Sequence, residues 1–372
     1  MSTQTQAIFI LSLDCEGKWG LADRISDHHA RYFTNQNLRQ AYRDLLALFE
    51  KWDVTATFAF VMAFILARDE LGRHADLFGH VNSGDWLRYF RRDAAAQRFE
   101  GWLVPEALEM VQAAGRHEVG CHGFSHLPLA ENLVGEAEVR HELAAAMAVA
   151  GSKGIAPRTF VYPRNLVGHT HVLQEYGFLG YRTRPPRSTG PLRRVRSVLG
   201  ELDLSTPAQP PASPTPGAII PIPSGYFLHW RYGVRRVIPA SVTVTRWRRI
   251  LDHALQNGWV AHLNLHPHNI IDGPGTLRTL DRILAMVARH RDRGELEVMT
   301  QEGYCAHMIA SAPSRPPAGH AAGHGAIGCS DARLRSSMAA QPSARERQPG
   351  RQEEESRCAS VGSDSIKKAS RL

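Results

Sequence analysis

The sequence predicts an α/β fold with a mostly parallel β-sheet, because apolar segments of strand length alternate with segments of helical periodicity. The runs AIFILSL at 7–13 and TATFAFV at 55–61 are rich in the β-branched and aromatic residues of buried strands. Residues 37–54, between them, place apolar side chains at helical spacing. A chain of 372 residues, 43% of them hydrophobic, can form one large α/β barrel or two smaller domains.

The same alternation continues along the chain. Helices are predicted within residues 104–116, 138–154, 168–178, 245–258 and 276–294. Strands are predicted within residues 117–121, 159–163, 180–186, 259–269 and 296–300. Together these elements predict a folded domain over residues 1–310.

Two segments depart from this pattern. Residues 186–224 are rich in Pro, Ser and Arg with one short apolar interval, which predicts a long insertion or a mobile loop. Residues 311–372 contain almost no large apolar side chains, which predicts a disordered, low-complexity tail.

The net charge is +8, from 44 Lys and Arg against 36 Asp and Glu, and such a charge would permit binding to nucleic acid. The arginines are scattered among apolar residues, as in RRVRSV, RYGVRR and TRWRRI, rather than gathered in one basic run. We therefore expect no nucleic-acid partner. The same positive field suits a phosphate-bearing substrate, and it leaves peripheral contact with a membrane open.

The expected location is the cytoplasm. The first apolar run is only about seven residues long, too short for a secretion signal or a membrane span, and no later stretch predicts a transmembrane segment. Five cysteines without regular spacing fit a reducing compartment better than a disulfide framework.

A carboxylate pair, Asp14 and Glu16, stands at the C-terminal end of the first predicted strand. Alternate residues of an extended chain point the same way, so both carboxylates can reach one site while Cys15 points toward the core. Ligands and catalytic groups gather at this end of the strands in a parallel barrel. Taken alone, the pair fits a solvated acidic loop better than a functional site, because acidic residues are common at strand ends.

Histidine pairs follow two later strands. His122 and His126 can present two imidazoles to one metal ion, either on a helical turn or folded together by Gly123. His266 and His268 follow another strand, and His266 is favoured for proton transfer because the sheet pins its backbone. A chain with 19 histidines is expected to contain such pairs by chance. The functional site is therefore predicted from the combination of carboxylates and histidines at the ends of separate strands, and not from one pair.

In this order the motifs resemble those of the polysaccharide deacetylase family, metal-dependent carbohydrate esterases of family 4 with a distorted (β/α) barrel. The resemblance covers roughly Ala7 to Ala310, which makes residues 1–310 the catalytic domain. LDCEG, HGFSH and LNLHPHN correspond to three family motifs. The resemblance implies a catalytic base at Asp14, a general acid at His266 with His268 as competitor, and metal ligands at Glu16, His122 and His126.

The family's third motif is altered here. An arginine normally precedes its proline and braces the catalytic aspartate, whereas RTFVYPRN has Tyr162 before Pro163 and Arg164 after it. Arg164, or Arg158, is expected to take the bracing role, and the backbone N–H after Pro163 is a candidate for oxyanion binding. The side chains expected to contact substrate are Trp19, Tyr162, Pro163 and His268.

The resemblance implies a hydrolase that removes the acetyl group from an N-acetylated sugar. Two imidazoles and a carboxylate suit zinc, although cobalt, nickel and iron also bind such ligands. For a cytoplasmic enzyme the expected substrate is a nucleotide- or lipid-linked precursor of a polysaccharide or glycolipid. The alternatives are an amidohydrolase of small cyclic amides or imides, and a catalytically silent carbohydrate-binding protein, against which the intact Asp14 and His266 argue.

Overall fold

A curled, all-parallel β-sheet forms the centre of the fold, with helices packed against it. A computed structural model describes residues 6–79, 85–185, 204–205, 207–213, 217–229, 235, 237–271 and 274–311. Within these residues the strands run in the order β6-β5-β4-β3-β2-β1-β8-β7, and β9 pairs with β1. The predicted α/β class and distorted (β/α) barrel are confirmed.

The strands of the described residues are β1 Ala7–Cys15, β2 Thr57–Phe60, β3 Glu118–Cys121, β4 Thr159–Val161, β5 Gly180–Arg182, β6 Ile220–Ile222, β7 Tyr226–Phe227, β8 Val260–Leu265 and β9 Leu296–Met299. Their α-helices are α1 Asp27–Tyr32, α2 Asn35–Lys51, α3 Arg68–Leu71, α4 Arg88–Ala95, α5 Pro105–Ala113, α6 Glu136–Ser152, α7 Thr170–Glu175, α8 Ala240–Asn257, α9 Pro274–Asp292 and α10 Gln301–Ser311. Short 3-10 turns follow several strand ends, at Gly17–Leu21, Met62–Ile65, Pro163–Asn165 and Pro267–Ile270.

Strand β1 is the central strand, and all nine of its residues are buried. Residues 8–13 pair with β8 along one edge. The other edge is shared, because residues 7–10 pair with β9 and residues 12–15 pair with β2. With both edges hydrogen-bonded, β1 holds its C-terminal carboxylates on a fixed backbone.

Helix α2 shows why the helical segments form and pack. Thr34 caps its start by accepting a hydrogen bond from the backbone N–H of Asn37 at 3.2 Å. Its buried side chains recur three and four residues apart, which places them on one face: Leu38, Ala41, Tyr42, Leu45, Leu48 and Phe49.

Helix α8 shows how a helix ends in this fold. It stops before Gly258, whose φ of 65° is the left-handed conformation that glycine adopts readily.

The segment predicted to be an insertion or mobile loop, residues 186–224, includes strand β6. Ile220 and Ile222 are buried and flank Pro221, and the strand pairs with β5. A run of three residues among prolines has too weak a local pattern to predict a strand. The segment is a strand because it pairs with β5. Residues 186–203 lie outside the described residues, as does the predicted disordered tail from residue 312 onward. Within the described ranges, no helix combines the length and apolar character needed to cross a membrane.

Candidate active site

The five residues expected to act together meet at the carboxyl edge of the sheet. Asp14 ends β1 beside Glu16, His122 and His126 follow β3, and His266 follows β8. Four of the five side chains are buried, while the side chain of His266 is 23% exposed. Strands distant in sequence therefore bring all five to one place, as expected for a parallel barrel.

The carboxylate of Glu16 contacts both histidines of the HGFSH motif. One oxygen of its carboxylate, Oε2, lies 3.3 Å from Nε2 of His122 and 2.8 Å from Nε2 of His126. The Nδ1–H of His122 donates to the carbonyl oxygen of Val161 at 2.6 Å, and a carbonyl can only accept. In the neutral imidazole, Nε2 of His122 is then an acceptor that faces another acceptor on Glu16, an arrangement that a cation between them would satisfy.

The electrostatics of Glu16 suit a cation ligand. Burial alone would raise the pKa of its carboxyl, but the neighbouring imidazoles of His266 and His126 hold the pKa well below its usual range. Glu16 is therefore a carboxylate at neutral pH.

Two groups of three side chains could hold a metal ion, and they share Glu16. In the first, the rings of His122 and His126 cross at 74°. An imidazole lone pair lies in the plane of its ring, so crossing planes allow both nitrogens to point at one ion. In the second, the rings of His266 and His268 stack with centroids 4.5 Å apart and planes at 21°, so their lone pairs lie in nearly parallel planes and converge less readily on one ion. The first group therefore fits a divalent ion, with three protein ligands of the kinds zinc binds.

Asp14 is held by an arginine that the sequence did not indicate. Arg182 at the end of β5 donates through Nη1 and Nη2 to Oδ1 and Oδ2 of Asp14, both at 2.6 Å. Burial would raise the pKa of Asp14, but the Arg182 charge and its hydrogen bonds lower the pKa below its usual value. Asp14 therefore stays ionised and fixed in orientation.

The expectation that Arg164 or Arg158 braces Asp14 is wrong. Arg164 lies in the turn beyond β4, pairs with Asp23 at 2.5 Å and packs over the ring of Trp86 at 4.5 Å. Arg158 precedes β4, at the opposite end of the strand from the site. Arg182 reaches Asp14 because it stands within a strand, at the end where β1 carries its carboxylates.

His266 lies between the two carboxylates. Its Nε2 is 3.5 Å from Oε1 of Glu16 and 4.0 Å from Oδ2 of Asp14. Asn269 accepts a hydrogen bond from the backbone N–H of His266 at 2.9 Å, and the Phe227 ring packs against the imidazole at 4.8 Å. This placement suits proton exchange with a bound substrate.

His268 is less suited to that role. Its side chain is buried against Phe33, with ring centroids 4.6 Å apart, and it stacks behind His266. Burial, followed by the nearby His266, lowers the pKa of His268 well below its usual value, so His268 is neutral at physiological pH. A neutral buried imidazole can support His266 by packing, but it cannot deliver a proton as an imidazolium.

Comparison with known proteins agrees with this geometry. The polysaccharide deacetylase family model matches residues 31–183. A candidate polysaccharide deacetylase from Mycobacterium smegmatis superimposes with a TM-score of 0.55 at 17% identity, over 83% of this chain and 92% of that one. Residues 31–183 thus belong to a polysaccharide deacetylase domain, and the shared fold extends beyond them.

Two further solved structures share the fold of this deacetylase domain. A probable polysaccharide deacetylase from Pseudomonas aeruginosa PAO1 has a TM-score of 0.51 at 16% identity, covering 83% of this chain and 92% of that chain. An allantoinase (PuuE) has a TM-score of 0.50 at 16% identity, covering 85% of this chain and 94% of its own. At these identities the likeness establishes the fold. No curated protein matches the chain by sequence.

Glu142 was not predicted from the sequence, and it stabilises residues 122–126, the loop that carries His122 and His126. The carboxylate of Glu142, on α6, accepts hydrogen bonds from the backbone N–H groups of Phe124 at 2.9 Å and Ser125 at 2.7 Å. It also accepts the hydroxyl of Ser125 at 2.9 Å. The loop needs such support because Gly123 and His126 adopt left-handed backbone conformations, with φ of 81° and 61°. An acidic residue on the apolar face of a predicted helix, next to Leu143, was the available signal.

Trp19 and Tyr162 are corrected from substrate contacts to buried framework residues. Trp19 is fully buried, donates its indole N–H to the carbonyl oxygen of Trp102 at 2.7 Å and packs against Phe90 at 4.5 Å. Tyr162 is also buried, and its hydroxyl donates to the carbonyl oxygen of Gly168 at 2.7 Å. Neither ring offers a face to a ligand.

Pro163, also expected to contact substrate, is buried at the start of the 3-10 turn after β4. Arg164 next to it has a left-handed φ of 57°. The proline contributes through the path of the backbone rather than through an exposed ring, which leaves the N–H of Arg164 as the candidate oxyanion donor.

The cysteines beside the ligands are buried, as expected. Cys15 and Cys121 are free thiols in the core. Burial raises the pKa of Cys121 to about 12 and raises the pKa of Cys15 well above its usual value. Both thiols therefore remain protonated and act as small apolar side chains.

Proposed function

We propose that this chain is a divalent-metal-dependent hydrolase that removes the acetyl group from an N-acetylated sugar. The observation that carries the proposal is that the His266 imidazole lies between the carboxylates of Asp14 and Glu16, while Glu16 also contacts the imidazoles of His122 and His126. A base, an acid and a ligand set within a few ångströms are what hydrolysis of an amide requires.

Glu16, His122 and His126 would hold the ion, with zinc proposed first. A divalent ion bound there would polarise the acetyl carbonyl and lower the pKa of an attacking water. The chain's own residues then move the protons. Asp14, ionised and held by Arg182, accepts the proton of the attacking water, and His266 as imidazolium donates a proton to the departing amine. The backbone N–H of Arg164 is the proposed donor to the developing oxyanion.

The proposed substrate is a nucleotide- or lipid-linked N-acetyl sugar that serves as a precursor of a polysaccharide or glycolipid. Support comes from the net charge of +8, which favours a phosphate-bearing ligand. Such a precursor is consistent with the proposed cytoplasmic location, which cell fractionation of the native protein would check.

Hydrolysis of a small cyclic amide is the second candidate. Two observations favour keeping it: the allantoinase shares this fold, and Trp19 and Tyr162, the aromatic side chains expected to contact substrate, are buried. The same base, acid and ligand set would serve that reaction, because its bond is also an amide.

The test is a panel of hydrolysis assays on the full chain, stripped of metal with a chelator and reloaded separately with zinc, cobalt, nickel or iron. Acetate release would be measured from N-acetylglucosamine oligomers and from UDP-N-acetylglucosamine, and ring opening from allantoin and dihydrouracil. Acetate release that needs the metal and disappears in Asp14→Asn supports the deacetylase. Ring opening without acetate release favours the cyclic amidohydrolase, and sugar binding without turnover favours a silent binding protein.

A further inference from the structure

Behind Asp14 lies a buried chain of hydrogen bonds that the proposed chemistry does not use. It links Arg182 on β5 to Ser12 on β1 and His262 on β8, and all three side chains are buried. Ser12 stands two residues before Asp14, so both side chains face the interior of the sheet. The chain of bonds ends at the carbonyl oxygen of Pro223, just after β6.

Each link is a hydrogen bond of ordinary length. Nη1 of Arg182 donates to Oγ of Ser12 at 3.2 Å as well as to Asp14. Oγ of Ser12 lies 2.8 Å from Nε2 of His262, and Nδ1 of His262 lies 2.6 Å from the carbonyl oxygen of Pro223. Three strands, β1, β5 and β8, and the residue after β6 thus contribute to this chain of hydrogen bonds.

The hydrogens of this chain can point in only one direction. The carbonyl oxygen of Pro223 cannot donate, so Nδ1 of His262 carries the hydrogen and donates it. Burial, and then the Arg182 charge, lower the pKa of His262 to about 3, so its Nε2 is an acceptor. The hydroxyl of Ser12 must therefore donate to His262. The lone pairs of Ser12 Oγ are then available to accept the hydrogen bond from Arg182.

We propose that Ser12 and His262 are positioning residues that hold Arg182 in its two-pronged contact with Asp14. A fork-to-fork contact requires the guanidinium and the carboxylate to stay nearly coplanar. Asn165 fixes one side of the guanidinium by accepting from Nη2 at 3.0 Å, and Ser12 fixes the other through Nη1. With one side released, the guanidinium can turn, and the orientation of Asp14 toward the attacking water is lost.

The activity arm of the test rests on the proposed function. In Ser12→Ala we expect kcat for acetate release to fall about tenfold, the loss typical of one hydrogen bond to a charged group, with KM and zinc content unchanged. Combined with Arg182→Ala, Ser12→Ala should cause no further loss of kcat. Additive losses, or an unchanged kcat in Ser12→Ala alone, would overturn the proposal.

Two replacements of His262 separate its two hydrogen bonds. Gln places its terminal oxygen near the former Nε2 and can still accept from Ser12, whereas Asn is too short to reach Ser12. We expect His262→Gln to retain most of the kcat that His262→Asn loses. His117→Asn is the matched control. His117 also makes a hydrogen bond, accepting from the backbone N–H of Ala56 at 3.2 Å, but it lies at the amino edge of the sheet, away from Asp14. Equal losses in the three variants would indicate a general effect on folding and would contradict the proposal.

A second arm needs no substrate. Urea unfolding of wild type, Ser12→Ala, Arg182→Ala and the double variant measures whether the two side chains act on one another, and the losses should be clearly non-additive. A wild type that releases no acetate would refute the proposed function, while this cycle would still decide whether Ser12 acts on Arg182. Additive unfolding free energies would refute the positioning role.

Discussion

The carboxylate of Glu142 and the backbone N–H of Ser125 are joined by a hydrogen bond of 2.7 Å, and this contact fixes the loop that carries both proposed histidine ligands. A helix on the outside of the sheet thereby sets the geometry of the candidate metal centre.

We predict that Glu142→Ala weakens zinc binding by about 10-fold or more and lowers the free energy of unfolding by roughly 2–4 kcal/mol, because several buried N–H donors lose their acceptor. Competition with a zinc indicator and urea unfolding would measure the two effects. Glu138→Ala is the matched control, since Glu138 lies on the same helix and accepts only from the exposed N–H of Gly135 at 2.9 Å. Equal zinc affinities in the two variants would contradict the assignment.

The two possible ligand groups make opposite predictions about metal content. His122→Ala should remove the bound zinc, because His122 belongs to the group whose ring planes converge. His268→Asn should keep one zinc per chain, because the stacked imidazoles of His268 and His266 converge less readily on one ion. Metal analysis after dialysis would measure both. Loss of zinc in His268→Asn would show that the second group is the one used.

Replacing the proposed base separates chemistry from metal binding. We expect Asp14→Asn to lower kcat by at least about 100-fold and to keep its zinc, because Asp14 is not in the ligand group. The variant should also lose stability, because the buried Arg182 keeps its charge opposite a neutral amide. Acetate release at the wild-type rate by Asp14→Asn would exclude Asp14 as the base.

A buried carboxyl at the amino edge of the sheet predicts a pH-dependent stability. Burial raises the pKa of Glu118, although Glu118 accepts the hydroxyl of Thr57 at 2.7 Å and the hydroxyl of Thr159. Because the folded pKa lies above the unfolded one, Glu118 contributes stability below its unfolded pKa and loses it as the pH rises through the folded pKa.

Glu118→Gln should therefore gain stability relative to wild type as the pH rises above about 4.5, by up to about 1.4 kcal/mol for each pH unit between the two pKa values. Urea unfolding across the pH range would measure the difference. Glu297→Gln, which replaces an exposed carboxyl on β9, serves as the control for the substitution itself. A pH-independent difference for Glu118→Gln would contradict the raised pKa.

The proposed domain boundary gives a further prediction. The last described helix, α10, ends at Ser311 after packing Tyr304 and Cys305 into the core. Truncation after residue 311 should leave both the unfolding midpoint and acetate release unchanged. Insoluble or inactive truncated protein would show that residues 312–372 are needed.

The sequence predicted the fold and the meeting of its motifs because both depend on patterns that are local in the chain. Alternation along β1 placed Asp14 and Glu16 on one side, and strand ends brought His122, His126 and His266 to the same edge. Arg182 and Ser12 carry no such local signal, since their roles depend on which strands are neighbours. Trp19 was misjudged because an aromatic residue beside a motif has the same pattern whether it faces substrate or core.

The uneven burial of the site has a consequence for selectivity. Of the five site residues, His266 alone has a partly exposed side chain, 23% exposed, while Asp14, Glu16 and both proposed histidine ligands are buried. In the proposed deacetylase, an acetamido group would therefore approach the buried side chains past the imidazole of His266. The surroundings of this one imidazole would then decide which acetamido groups are accepted.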